Sequence, residues 1–140
     1  MDNLIISERY KNDVTILDLT GNICLGESNV KFRSTLRLLD QEGKNNILLN
    51  LADVAYLDSS GLGELVAGYL STKKNGGQIK LLNLNSRIRE IMVMTKLLTM
   101  FDVFEDEEQA IDSFQNPSNR IAMRQPDLVP EKLDPALLNQ

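Results

Sequence analysis

The chain has no histidine and one cysteine, Cys24. The first absence removes Ser-His-Asp triads, Cys-His dyads and every His-containing metal site. The second removes internal disulfides and cysteine-based zinc sites, and points to a reducing, cytoplasmic setting. Proline is missing from the first 115 residues, because Pro117, Pro126, Pro130 and Pro135 all lie beyond them. No apolar run approaches the roughly 18 residues that a membrane span needs. The opening MDNLIISERY carries an acid at Asp2, no basic segment and only Leu4 to Ile6 as an apolar run, so no signal peptide is read. A basic excess is missing too. The net charge of -5 at pH 7 disfavours nucleic-acid phosphates and favours a protein partner.

What is present is ordinary globular composition, 42% hydrophobic and 25% charged over 140 residues, which fits one core and one site. The prolines set a boundary near Gln115, giving a domain over residues 1–115 and a tail over 116–140. In the tail, Arg120, Arg124 and Lys132 balance Asp127, Glu131 and Asp134, and the apolar residues are too irregularly spaced for one amphipathic helix. The tail is therefore read as extended or flexible.

Within the domain the period of the apolar pattern changes repeatedly. Leu4 to Glu8 and Val14 to Leu19 alternate as strands around the turn-forming Lys11-Asn12-Asp13, which predicts a hairpin. Val30 to Gln41 reads as a helix ended by Gly43, and NILLNL (46–51) as a buried strand, with a separate strand-like piece at Val54 to Leu57. Ser60 to Lys74 reads as a helix closed by Asn75-Gly76-Gly77, and Gln78 to Leu84 as the next strand. Strand, helix, strand implies a parallel crossover. Ser86 is expected to cap a helix to about Lys96, with Ile88, Ile91, Met92 and Leu97 or Leu98 inward; Phe101 to Phe104 reads as a short strand and Asp106 to Phe114 as a last helix. The class is α/β.

The stretch Leu57-Asp58-Ser59-Ser60-Gly61-Leu62-Gly63 lies between a strand end and a helix start, where functional groups collect in α/β sheets. An aspartate, adjacent hydroxyls and glycines there suit a helix cap, an anion site or a phosphoryl acceptor. The glycine pattern fits neither a dinucleotide fingerprint nor a phosphate loop, so no cofactor is expected. Cys24 reads as a small half-buried apolar residue, Glu105 to Glu108 as a solvated helix start and not a metal site, Lys73 and Lys74 as a solvated helix end, and Met92, Met94 and Met100 as core.

The run VAYLDSSGLGELV resembles the STAS domain of bacterial anti-sigma factor antagonists. The resemblance extends over about residues 4–114, through Leu19-Thr20-Gly21, NILLNLADVAYLDSSGLG, KKNGGQIKLLNL and MTKLLTMFDVFEDEEQAI. It implies a mixed sheet with helices in a β-α superhelix and no catalytic activity. It also implies phosphorylation on the serine after the motif aspartate, here Ser59, with Asp58, Ser60, Gly61, Leu62, Gly63, Asn22 and Cys24 contacting the partner. The unphosphorylated protein would bind an anti-sigma factor serine kinase and free a sigma factor; phosphorylation would release it and a serine phosphatase would reset it. A monomer or weak dimer is expected. Within the same fold, a STAS subunit of a membrane lipid transporter or of a stress-signalling scaffold is the alternative. The chain departs from the family where an acidic TGEID-like sequence is usual, reading Thr20-Gly21-Asn22-Ile23-Cys24, and where Thr-Gly-Leu is usual, reading Thr95-Lys96-Leu97.

Overall fold

Strands β1 (Leu4–Lys11) and β2 (Val14–Ile23) form the expected hairpin, each longer than its apolar alternation indicated. Lys11 pairs with Val14 across the two residues Asn12 and Asp13, whose φ of 53° and 66° give the left-handed pair that a tight hairpin with the correct strand twist requires. In this computed structural model residues 3–115 are described, and the tail read over 116–140 lies outside them.

Helix α1 (Glu27–Gln41) follows β2, and β3 (Asn46–Leu57) is one continuous strand. The two pieces read from the sequence are joined because β2 and β3 slip register after Asp18/Asn50 and again after Gly21/Val54. Such bulges break the two-residue alternation while the strand continues. Helix α2 (Ser59–Lys74), β4 (Gln78–Leu82), α3 (Ser86–Met94), β5 (Val103–Phe104) and α4 (Glu107–Gln115) complete the order. The sheet runs β1-β2-β3-β4-β5, antiparallel at the hairpin and parallel elsewhere.

Alternation along each strand divides the core. Leu17, Leu19, Ile47, Leu49, Ile79 and Leu81 meet Phe32 and Leu36 of α1, Leu65 of α2, and Ile88 and Met92 of α3. Val14, Ile16, Leu48, Leu82 and Phe104 meet Ala110, Ile111 and Phe114 of α4. Leu97 and Leu98 lie past the end of α3 and pack on the first cluster from the following turn. Met92 is core, but Met94 is exposed and Met100 half-buried, so the core reading of the methionines holds in part.

One buried position escaped the sequence pattern. Lys80 on β4 is 1% exposed, and its Nζ donates to Ser113 Oγ at 2.8 Å and to the Ser113 carbonyl at 3.1 Å, over the Phe114 ring. A buried ammonium is tolerated only when its donors are engaged, and here they hold the last turn of α4.

The other end of α4 is held by charge. Arg9 Nε donates to Asp18 Oδ2 at 2.7 Å, Arg9 Nη2 to Glu107 Oε1 at 2.8 Å, and Lys11 Nζ to Glu108 Oε2 at 2.6 Å. Hydrogen bonds from the Arg9 guanidinium hold the Asp18 and Glu107 carboxyls below their ordinary range. Glu105, Asp106 and Glu108 are exposed, so the solvated reading holds for them, while the half-buried Glu107 is engaged by Arg9 of the hairpin, a strand-to-helix contact that local spacing does not reveal.

Two caps differ from expectation. Asn85, not Ser86, caps α3, accepting from Ile88 N at 2.9 Å. At the other end, the helix stops after Met94 without the usual glycine. Lys96 N donates to the Val93 carbonyl and Leu97 N to the Met92 carbonyl, and Lys96 takes φ 64°. That is the left-handed position of a Schellman turn, which a side chain occupies at a cost of about 1–2 kcal/mol. Lys96 is exposed, so Lys96→Gly relieves this strain and loses little else. After the entropy that glycine adds to the unfolded chain, the net gain should be about 0.5–1 kcal/mol. Calorimetry should register a thermal midpoint roughly 3 °C higher; a lower midpoint would contradict the strain argument.

Candidate phosphorylation and docking site

The site is built at the carboxyl ends of β2 and β3, which pair through Ile23 and Leu57. The next residue, Asp58, is the N-cap of α2, and its Oδ1 accepts from Gly61 N at 2.8 Å. Its Oδ2 accepts from Leu25 N at 3.0 Å, and its own N–H donates to the Ile23 carbonyl at 3.3 Å. One carboxylate thus starts the helix and clasps the β2–α1 loop to it. The capping reading of Asp58 is correct, and α2 begins one residue earlier than the Ser60 start expected from sequence.

Gly61 is obligatory at this point. A Cβ there would lie 2.0 Å from the Ile23 carbonyl oxygen, far inside van der Waals contact. The helix therefore begins directly against the end of β2, and Ser59 and Ser60 occupy its first turn. Ser59 is exposed and Ser60 half-buried. Four residues on from Ser59 is Gly63, exposed, where an added Cβ would find nothing within 4 Å. Four residues on from Ser60 is Glu64, whose carboxylate pairs with Arg33 of α1 at 2.7 Å. Residues at this spacing are neighbours on a helix, so Ser60 lies one turn before the Glu64–Arg33 pair and Ser59 one turn before a glycine. Leu62 is half-buried against the core.

Asn22 and Cys24 lie on the adjoining wall. Asn22 pairs with Tyr56 near the end of β3 and its N–H donates to the Asn3 carbonyl at 2.9 Å. Cys24 is half-buried, as expected. Ser28 Oγ accepts from Cys24 N at 2.9 Å and donates to the Cys24 carbonyl at 3.0 Å, closing the loop on itself. Through the Leu25 N–H the structure brings Asp58 beside the residue after Cys24, whereas Gly63 lies a turn further along α2.

The sequence reading missed Leu25, whose N–H Asp58 holds, and Ser28, which closes the Cys24 loop, because it began α1 at Val30. The available signal was Gly26 followed by Glu27. Gly26 is the N-cap, with φ 119°, and an acid in the first turn suits the helix dipole.

Residues 6–110 match the STAS domain. The chain belongs to the STAS domain family. The anti-sigma-B factor antagonist of Bacillus subtilis (strain 168) is 32% identical over 104 residues, which is 74% of this chain and 93% of that protein. The anti-sigma F factor antagonist of Paenibacillus polymyxa is 22% identical over 113 residues, 81% of this chain and 97% of that protein. The fold is also that of an anti-sigma factor antagonist from Mycobacterium paratuberculosis, with a TM-score of 0.72 at 17% identity, covering 82% of this STAS chain and 97% of the other. The phosphorylated form of the Bacillus cell fate determinant SpoIIAA superposes with a TM-score of 0.62 at 20% identity over 77% of this chain and 97% of that one. Among the described residues of the STAS chain, no helix is long and apolar enough to cross a membrane.

Proposed function

We propose that this STAS protein is an anti-sigma factor antagonist that works by partner switching. Unmodified, it binds an anti-sigma factor serine kinase through the face around Asp58 to Gly63, Asn22 and Cys24, and so frees a sigma factor. Phosphorylation of Ser59 releases it, and a serine phosphatase restores the binding form. It acts in the cytoplasm as a substrate and binding partner, not as an enzyme, with residues 116–140 outside the switching domain.

The observation that carries this reading is the division of labour between neighbours. Asp58 is wholly committed to holding the fold, with both carboxylate oxygens engaged, while Ser59 beside it is exposed to solvent. A phosphate on Ser59 adds about -1.5 to -2 charges at a helix N-terminus, where the dipole favours negative charge. The domain survives the modification and its surface gains negative charge. The missing acids at Asn22 and Cys24 leave the contact surface less negative than the family pattern, which fits a poorer kinase substrate or a divergent partner.

Incubation with the kinase and ATP, followed by peptide mass spectrometry, is expected to place a single phosphate on Ser59. Phosphate on Ser60 alone would remove the basis of the assignment, since that hydroxyl lies one turn from Glu64.

A further inference from the structure

The two edges of the sheet are finished differently. At one edge β5 is two residues long, too short to template a further strand. At the other, β1 runs eight residues from Leu4 to Lys11, with no proline and an unbroken register against β2. Asn22 N donates to the Asn3 carbonyl, and in an antiparallel pair every second residue repeats that inward bonding. Ile5, Ser7, Arg9 and Lys11 therefore bond to β2. The main-chain groups of Ile6, Glu8 and Tyr10 point away from the sheet, as the Leu4 carbonyl does where it accepts from Lys31 Nζ at 2.7 Å. Beside this edge, β1 and α1 enclose a groove of about 390 Å³ whose lining includes Ile6, Glu8, Lys31 and Leu38. Leu38 is 55% exposed. A regular strand edge and an apolar side chain beside it are both left to water, the combination that invites a further strand.

We propose that β1 pairs antiparallel with β1 of a second copy of this chain, about a two-fold axis through Ser7, so that two sheets join into one. The strand's own residues select the occupant and the register. Centred on Ser7, the pairing sets Leu4 opposite Tyr10, Ile6 opposite Glu8 and Ile5 opposite Arg9, and no charge meets its like. Centred on Glu8 or on Arg9, that residue would meet itself across the axis, and like charges directly opposite are destabilising. The Ser7 register also sets Glu8 of each copy beside the pair that contains Leu4 of the other, where Lys31 is held. A carboxylate thereby reaches an ammonium whose bond within one chain is to a neutral carbonyl. The added strand lies along the groove and covers Leu38. Both copies use the same patch, as a closed two-fold interface requires. The inference goes beyond the Ser59 reading and does not depend on it; the pair carries two Ser59 faces.

Sedimentation equilibrium of the full 140-residue chain over a range of concentrations reads the association directly. Ser7 is exposed and sits on the proposed axis, so Ser7→Lys and Ser7→Glu each set like charges face to face in the pair while leaving the core untouched. The wild-type chain is expected to pass from monomer to dimer as its concentration rises. Each variant alone should dimerise about fivefold more weakly. An equimolar mixture of the two should associate more strongly than either alone, because lysine then faces glutamate across the axis. That mixture separates the contact from folding, since a variant that had merely misfolded would not be rescued by its opposite. A wild-type chain that stays monomeric at every concentration would overturn the proposal and leave the edge to a strand of another protein. A dimer that neither variant weakens would overturn it as well, because the contact would then lie elsewhere. So would a mixture that associates no better than its components, which would remove Ser7 from the axis.

Discussion

Phosphorylated Ser59 is expected to bind the anti-sigma factor kinase at least thirtyfold more weakly than the unmodified chain, with the fold intact in both. The figure follows from where the charge sits. Blocking a desolvated interface centre commonly costs about 2 kcal/mol or more, which is roughly thirtyfold. A hydrated dianion at Ser59 must be stripped of water or repelled before anything can dock over it. The domain itself is spared, because the Asp58 contacts to Gly61 and Leu25 are made by a neighbouring side chain that the phosphate does not replace. Ser59→Ala should bind constitutively. Ser59→Asp should weaken binding only in part, since one carboxylate brings one charge and two oxygens where phosphate brings nearly two and three. Calorimetry measures the affinities and circular dichroism the fold. Equal binding of the phosphorylated and unmodified forms, both folded, would end the partner-switching reading and favour a transporter or scaffold subunit of the same fold.

Most of the element order was legible in the sequence because each element carries a local signal. The hairpin has Asn12-Asp13, α2 has Asp58 before and Asn75-Gly76-Gly77 after, and the strands of the parallel part read as short apolar runs. What was not legible depends on partners distant in sequence. Lys80 looks like a solvated charge until α4 returns to place Ser113 over it. Glu107 looks solvated until the hairpin, nearly a hundred residues earlier, supplies Arg9. The continuity of β3 was hidden because its bulges against β2 break the alternation on which strand reading depends. At the candidate site, Asp58, Ser59 and Gly61 were visible as a motif. The contact of Leu25 with Asp58 was not, because α1 starts with a glycine and no side-chain cap, leaving little to mark where the loop ends.

The two glycines of the motif are expected to respond in opposite directions to the same substitution. Gly61→Ala places a methyl 2.0 Å from the Ile23 carbonyl oxygen and 3.0 Å from Leu57 Cδ1. The first obstacle is backbone at the end of a central strand, so relief requires α2 to move away from β2. That movement stretches the Asp58 contacts to Ile23, Leu25 and Gly61 together. Overpacking against a side chain costs about 1–3 kcal/mol; a rigid backbone obstacle belongs at the upper end, about 3 kcal/mol, which lowers the thermal midpoint by roughly 12 °C or more. Gly63→Ala meets nothing within 4 Å and replaces a poor helix former by the best one inside α2. It should gain about 1 kcal/mol and raise the midpoint by several degrees. Differential scanning calorimetry of the pair, under identical conditions, makes the comparison. A Gly61→Ala midpoint within about 2 °C of wild type would mean that α2 can shift without cost, and the tight coupling between the β2 end, the Asp58 clasp and the Ser59 face would have to be abandoned.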